Sequence, residues 1–312
     1  MRTFIKLLYF KILYIINKRY RRFKKLDGLI TNSLPNIYCV DIGASYYAHP
    51  KWGSLINSPN TKWIAIEPNE ENLNYLKSWD FKSKVFSFTK GLSRDGGQKT
   101  LYKTNIDSGS SLLEPVLNLD MEHRFSEHSK SYFFPLEKIS IETESLNSIF
   151  QQLNYNQEDP VLLKLDTQGT ELRIIEGLHK KILKSIICIE LENTFQVNPV
   201  MKGASHFYET MKFMYDNDFE LLAMKPIPSN AKNHISQYKP NFYLNEADCL
   251  FIKKFSYIKK ASLEIQLGML GVYITYHFYE ELNALGKLIL NATPSIDKQL
   301  GLDLKKIINL TR

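Results

Sequence analysis

Cysteine is scarce. The 312 residues hold three, Cys39, Cys188 and Cys249, each inside a strand-like apolar run and none in a C-x-x-C pair. That pattern offers no disulfide framework and no His/Cys metal-ligand spacing; it fits reduced, buried thiols in a cytoplasmic protein. Membrane-spanning length is missing too. The apolar stretch at residues 3–16 is interrupted by Lys6 and Lys11 and falls short of the roughly 20 apolar residues a spanning helix needs. A secretory signal is equally absent, because the positive charge follows the apolar run and no small-residue cleavage site appears. Acidic residues are missing from the first 25 positions, which carry nine Lys/Arg. The formal charge of +7 therefore belongs to that tail: the remainder has 31 basic and 33 acidic residues, a balance of −2. A near-neutral body argues against a broad nucleic-acid-binding face. No internal repeat and no long low-complexity segment is present.

Residues 1–33 read as a basic amphipathic helix, with Lys11, Lys18, Arg22 and Lys25 on one side. Two roles are open for it. Residues 1–25 suit a helix lying in the plane of an anionic membrane, which would place the protein peripherally at its inner face. They equally suit a helix that docks on the body and covers a sheet edge.

From Ile37 the pattern is that of strands alternating with helices. Ile37–Ile42 reads as a buried strand ending in Asp41-Ile42-Gly43-Ala44-Ser45, and Lys62–Ile66 as a second strand closed by Glu67-Pro68-Asn69. A helix with Leu73 and Leu76 inward follows. The spacing of Asp41 and Glu67 is that of a nucleoside-binding β-loop-helix-β unit, in which an ionised acid accepts both ribose hydroxyl protons. Lys84–Phe88, then Gly91-Leu92-Ser93, is a third strand, with a hairpin arm around Thr100–Tyr102. Ser108–Leu113 forms a small-residue loop able to approach a ligand. Residues 114–137, with His123 and His128, read as a polar surface loop or lid, and Ile139–Thr143 as an edge strand ahead of a helix through Leu146, Ile149 and Leu153.

Leu162–Gly177 (Leu-Leu-Lys-Leu-Asp-Thr-Gln-Gly-Thr-Glu-Leu-Arg-Ile-Ile-Glu-Gly) spells strand, tight turn and helix. Asp166 reads either as a helix cap or as a site acid beyond a strand's carboxyl end. Ser185–Glu192 is a further buried strand with Glu190 and Glu192 on one face. A helix over residues 204–217 and two closing strands at Phe219–Met224 and Cys249–Ile252 complete an α/β pattern with an antiparallel edge pair. Beyond Ser256 a long helical pattern runs from Leu263 to Leu282, with Gly268 and Gly271 inside it, and Pro294 separates a last helix, Leu300–Leu310. Three roles are open for this tail: packing on the body, self-association into a homo-oligomer, or joining the amino-terminal helix at a membrane.

Val40-Asp41-Ile42-Gly43-Ala44, Glu67-Pro68, Ser110-Ser111-Leu112, Leu163–Glu171 (Leu-Lys-Leu-Asp-Thr-Gln-Gly-Thr-Glu), Ile189-Glu190 and Ala247–Phe251 occur in the order seen in FkbM-type methyltransferases, and the chain resembles that family over roughly residues 37–254. The Lys-x-Asp-x-Gln-Gly-x-Glu block is the most specific part. The resemblance implies a Rossmann-like seven-stranded α/β sheet flanked by helices, divided as a helix at 1–33, a methyltransferase domain at 34–255 and a helical extension at 256–312. It also implies S-adenosylmethionine as cofactor and methyl transfer to a hydroxyl of a sugar, glycan or related small metabolite. Carried over by position, Asp41, Gly43, Ala44 and Ser45 line the cofactor's amino-acid end, Glu67 with Pro68 holds the ribose, Gly91 borders the site, and Asp166 lies near the sulfonium. One departure is Tyr47, where the family often has a second glycine. Because an alcohol needs a base to react, Asp166, Glu190, Glu192 and His206 are candidate bases, with Lys164 and Glu171 in support. Asp166 with a neighbouring acid is the only suggestion of a metal, and no metal ligands are assigned. Two rival readings stand beside this one: a catalytically impaired cofactor-fold binding protein, and a methyltransferase acting on protein or nucleic acid.

Overall fold

Apolar, β-branched runs form the strands of the computed structural model, which describes residues 34–44, 49–78, 81, 83–116, 127–229, 243–293 and 297–310. The expected helix at 1–33, together with Ser45, Tyr47, His123 and Pro294, lies outside the described residues. The strands are β1 (Ile37–Ile42), β2 (Thr61–Ile66), β3 (Lys84–Phe88), β4 (Gly91–Leu92), β5 (Gly97–Thr104), β6 (Pro135–Glu144), β7 (Val161–Leu165), β8 (Ile186–Thr194), β9 (Phe219–Ser229) and β10 (Tyr243–Lys253).

Seven strands form one sheet in the order β3-β2-β1-β7-β8-β10-β9. The first five in that order run parallel, and β10 is antiparallel to both β8 and β9. This is the expected seven-stranded α/β sheet with its antiparallel edge pair. Parallel strands need cover on both faces. On one face Val40, Ile64, Leu163 and Ile189 pack with Ile149, Ile174, Ile182 and Met214 from the helices Leu146–Gln152, Glu171–Glu176, Lys180–Ser185 and Phe207–Asp216. On the other, Cys39, Trp63, Leu162, Cys188 and Leu250 pack with Leu270, Leu285 and Ile307 from the helices Leu263–Thr275, Tyr279–Ala292 and Lys298–Leu310. All three cysteines are buried and unbridged.

Of the three roles open for residues 256–312, packing on the body is the one seen: within the described residues they form one face of its core. Three expectations need correction. The first helix of that segment is not continuous to Leu282, since His277 turns to φ 66° and the chain restarts at Tyr279. Ile139–Thr143 is not an edge. It belongs to β6, the middle strand of a second sheet ordered β4-β6-β5, because the hairpin arm β5 and the short β4 pair with it on either side. The stretch read as a polar loop also contains the helix Glu127–Tyr132 and the first residues of β6. No helix among the described residues is long and apolar enough to cross a membrane.

Gly268 shows how closely the carboxyl-terminal helices are seated. A Cβ there would lie 2.5 Å from both Cβ and Cγ of Pro160 and 3.2 Å from Ile187 Cδ1. Overpacking of this kind costs about 1–3 kcal/mol, more than the roughly 1 kcal/mol that alanine gains over glycine in a helix. Gly268→Ala is therefore expected to lower the urea midpoint at unchanged slope. A midpoint equal to wild type or higher would mean the helix does not sit on Pro160.

Candidate active site

The carboxyl ends of β1, β2 and β7 meet the second sheet around a cavity of ≈ 370 Å³, within the size range of small-molecule sites. Gly43, Glu67, Pro68, Gly91 and Asp166 line it, as do Ser108, Ser110, Ser111 and Leu112 of the small-residue loop. Ile139 and Ile141 of β6 and Leu101 of β5 supply an apolar wall that no sequence motif announced.

Two turns form the floor. Gly43 has φ +75°, and a Cβ on it would stand 2.1 Å from the Asp166 carbonyl oxygen, so the turn after β1 lies directly on the turn after β7. Lys164 holds them together. Its Nζ is 3.3 Å from Asp41 Oδ1, 3.5 Å from Asp166 Oδ2 and 3.4 Å from the Gly43 carbonyl oxygen. The Asp41 contact is electrostatic rather than an aligned hydrogen bond, since Oδ1 has no hydrogen-bond partner. Burial works against the ammonium, but Asp41 and Asp166 outweigh it and raise the Lys164 pKa.

Asp166 does not cap the following helix. Thr170 occupies the cap position, and the Glu171 carboxylate accepts the turn's N–H groups from Thr167 at 2.7 Å and Gly169 at 2.9 Å. The Asp166 side chain instead lines the cavity, accepting from Gln168 Nε2 at 3.1 Å. Gln168 has φ 57°, in the left-handed region where non-glycine residues are uncommon. Ser111 Oγ donates to its carbonyl at 2.8 Å, which ties the small-residue loop to the turn.

At the other end Glu67 lies beside a network that the motif did not reveal. Its Oε1 accepts the Asn69 N–H at 2.9 Å, while Asn69 Nδ2 and Asn72 Nδ2 both donate to Asp107 Oδ2, at 2.7 and 3.4 Å. Asn72 Oδ1 is buried without a partner, and Asn72 and Asp107 both line the cavity. A wall of acceptors formed by Glu67, Asp107 and Asn72 suits a ligand that brings donors. Ribose hydroxyls and an exocyclic amine are such donors, and the nucleoside part of S-adenosylmethionine fits these residues. The Asn after Glu67-Pro68 was a readable signal, because its side chain also accepts the Glu71 N–H at 3.0 Å as the helix cap.

A second, smaller cavity adjoins the first at Gln168, which lines both. Glu171, Glu192 of β8 and Glu246 of β10 line it, together with Phe133, Val200 and Met201. Burial pushes the Glu192 and Glu246 carboxyls up; the charges of Glu246, Asp166 and Glu171 push Glu192 further, and those of Glu171 and Asp166 push Glu246 further against the opposing effect of its hydrogen bond with Glu192. Gln168 Nε2 is 3.4 Å from Glu192 Oε2.

Other sequence candidates lie elsewhere. Asp41 and Ala44 are each 1% exposed and line neither cavity: Asp41 acts through Lys164, and Ala44 belongs to the core, its N–H bonded to the Ile66 carbonyl at 3.2 Å. Ser45 is outside the described residues. Gly91 borders the cavity, but a Cβ there would meet Ile141 Cδ1 at 2.8 Å, so its small size serves the packing of β6. Glu190 is corrected as a candidate base. Its oxygens are taken by His49 Nε2 at 3.0 Å and the Tyr276 hydroxyl at 2.9 Å. Burial raises its pKa, but His49, Lys51 and Tyr276 outweigh it and hold it at about 2. His206 is corrected too: it opens the helix Phe207–Asp216, its N–H bonded to Glu209 Oε2 at 2.7 Å, and lines neither cavity. Among the described residues no group of three or more His, Cys, Asp or Glu could hold a metal ion.

A family model described as the methyltransferase FkbM domain matches residues 41–221, more than half of the chain. The chain belongs to the FkbM methyltransferases. The matched FkbM segment contains the floor turns, Glu67, Asp107 and Glu192, whereas Glu246 and Tyr276 lie beyond it. Comparison with curated proteins gives no match. Among solved structures, a precorrin-6y C5,15-methyltransferase from Geobacter metallireducens is 11% identical, covers 74% of this chain and 89% of its own, and has a TM-score of 0.29. An S-adenosylmethionine-dependent methyltransferase from Clostridium acetobutylicum is 13% identical, with coverage of 79% and 99% and a TM-score of 0.30. TrmK from M. capricolum, in complex with S-adenosylhomocysteine, is 14% identical, with coverage of 92% and 97% and a TM-score of 0.30. Likeness at those scores carries no weight for function, which rests on the family match and the site.

Burial pushes the Glu67 carboxyl up to about 7, with the Asn69 N–H opposing and the Asp107 charge adding. Ribose hydroxyls donate to the ionised form, so binding favours loss of that proton. Affinity for S-adenosylhomocysteine, followed by calorimetry, should therefore rise from about pH 6 to about pH 8 and then level off. Glu67→Gln should abolish the slope and weaken binding by about 1–3 kcal/mol. A pH-independent wild-type affinity would remove Glu67 from the ribose.

Proposed function

We propose that this FkbM methyltransferase uses S-adenosylmethionine to methylate a hydroxyl oxygen of a sugar, glycan or related small metabolite. The observation that carries the proposal is the junction at Gln168, where Asp166 of the larger cavity and Glu192 of the smaller one are bridged by one amide. The larger cavity, with its Glu67 end, takes the nucleoside; the smaller, at ≈ 30 Å³, has room for little more than the acceptor's reacting hydroxyl beside its buried carboxyls.

When bound, the sulfonium supplies an already activated methyl group. What remains for the chain is to orient an oxygen and accept its proton. Glu192 is the better proton acceptor, because a carboxyl whose pKa burial has raised is a stronger base once ionised than an exposed one. Asp166, fixed by Lys164 and Gln168, is placed to accept a hydrogen bond from the same hydroxyl and hold it in line. Phe133, Val200 and Met201 border the seat of that hydroxyl on its apolar side.

Transfer of a labelled methyl group from S-adenosylmethionine to a panel of hydroxylated sugars and glycans tests the reading. A base-stable methyl ether is the expected product. Glu192→Gln should lower turnover about 10²-fold or more while S-adenosylhomocysteine affinity stays near wild type. Label found on nitrogen or sulfur, or undiminished turnover in Glu192→Gln, would refute the assignment.

A further inference from the structure

Asn72 is a polar residue in a place where an apolar one is ordinary. It lies in the first turn of the helix Glu70–Lys77, on the buried stripe it shares with Leu73 and Leu76, and is 3% exposed. Asparagine is a poor helix former away from a cap. The cap is already filled by Asn69, whose Oδ1 accepts the Glu71 N–H at 3.0 Å. Local structure therefore gives no reason for an amide at position 72. A buried amide with an unmet hydrogen bond carries a free-energy cost, and Asn72 is such a residue: its Oδ1 has no hydrogen-bond partner among the described residues. Its side chain lines the larger cavity.

Asp107 decides which end of that amide is left over. Asn72 Nδ2 lies 3.4 Å from Asp107 Oδ2, and Asn69 Nδ2 donates to the same oxygen at 2.7 Å. A carboxylate only accepts, so it turns both amides with their NH2 groups toward it. Reversing Asn72 would set its oxygen against the carboxylate. The polarity of the amide is thus fixed by a residue 35 positions along the chain, and what it has left for a ligand is a carbonyl oxygen. The rest of the cavity says which donor suits that oxygen. Glu67, at the end of β2, takes the ribose, while Pro68, Leu101, Ile139 and Ile141 give the same cavity an apolar lining for a flat base. A hydroxyl both donates and accepts, so it has no need of an amide locked in one orientation. An exocyclic amine only donates, and it does. Adenine carries that amine where hypoxanthine and guanine carry a carbonyl oxygen.

We infer that Asn72 reads the exocyclic amine of the adenine of S-adenosylmethionine, and that Asp107 is the positioning residue that keeps the Asn72 oxygen available to it. This inference rests on the cofactor reading above. Glu67 then selects for the sugar of the nucleoside, and the Asn72–Asp107 pair selects for its base.

Two ligands that differ at that group test it: S-adenosylhomocysteine, and S-inosylhomocysteine, which has a carbonyl oxygen in place of the amine. Binding of each to the full chain is measured by calorimetry. The wild type should prefer the adenine form about 10- to 100-fold, because the carbonyl of the other would face the Asn72 oxygen with no proton between them. Asn72→Ala should bind the adenine form about tenfold more weakly and lose most of the preference. Asp107→Asn, at an exposed position, replaces an acceptor with an amide that also donates, so Asn72 is free to turn over. Its preference should fall through tighter binding of the inosine form, and it keeps the test open should Asn72→Ala fail to fold. Glu67→Gln should weaken both ligands alike and leave the preference intact. Equal affinity of the wild type for the two ligands overturns the inference and leaves the cofactor reading standing. A full preference in Asn72→Ala overturns it as well, since the amine would then be read elsewhere, and a full preference in Asp107→Asn overturns the positioning role. Absence of binding of either ligand by the wild type overturns this inference and the cofactor reading together.

Discussion

The Lys164 ammonium, set between Asp41 and Asp166, is the interaction on which the site depends. Asp41 is 1% exposed, and an unpaired carboxylate at that depth would carry a large desolvation cost. A buried pair seldom adds net stability, because desolvation consumes most of the attraction, but losing one partner is expensive. The pair is therefore better understood as fixing geometry. Lys164 also lies 3.4 Å from the Gly43 carbonyl, so one cation sets the distance between the turns after β1 and β7. The 2.1 Å clearance that a Cβ at Gly43 would leave to the Asp166 carbonyl shows how closely that distance is set.

The turn after β7 holds strain at Gln168, and the residues around it explain how it persists. A non-glycine residue in the left-handed region costs of order 1–3 kcal/mol. Glu171 accepts two N–H groups of the turn, and Ser111 donates to the Gln168 carbonyl. Hydrogen bonds to a charged group contribute about 1.5–3 kcal/mol each, enough to offset the strain. The benefit is directional: Gln168 Nε2 is placed to reach Asp166 and Glu192 together. The Thr-Gln-Gly-Thr-Glu spelling thus encodes a strained residue, the glycine beside it at φ +105° and the acid that accepts the N–H groups on either side of the strained one.

Much of this could be read from the sequence, for a definite reason. Strands leading to acids at Asp41, Glu67, Asp166 and Glu192 follow from short continuous apolar runs, and a mostly parallel sheet with an antiparallel edge pair follows from their alternation with helices. Side-chain periodicity fixes which face an acid occupies but not what covers it. Glu190 and Glu192 share a strand face two residues apart, yet one is closed over by Tyr276 and His49 while the other opens into a cavity. The cover comes from a helix about 86 residues along the chain, and no local pattern announces such a contact. The same holds for β6, whose alternation was read as an edge because its partners, β4 and β5, were too short or too polar to be recognised as a sheet.

Charge balance restricts what the proposed acceptor can be. Glu67, Asp107 and the Asn72 carbonyl oxygen face one end of the site, and Glu171, Glu192 and Glu246 the other. Lys164 between them is already shared by two carboxylates. Lys90 and Lys103 also line the larger cavity, but Glu142 and Glu137 pair with them at 2.5 and 4.0 Å. The charged groups facing the proposed acceptor that no cation already neutralises are thus carboxyls. An anionic substrate, phosphorylated or carboxylated near the reacting oxygen, would meet carboxyls on three sides and would bind only if they took up protons, which would disable Glu192 as a base. A neutral polyol would supply the missing donors without that conflict. On the proposed reading, the carboxyls that would activate the hydroxyl therefore also favour a neutral molecule to carry it.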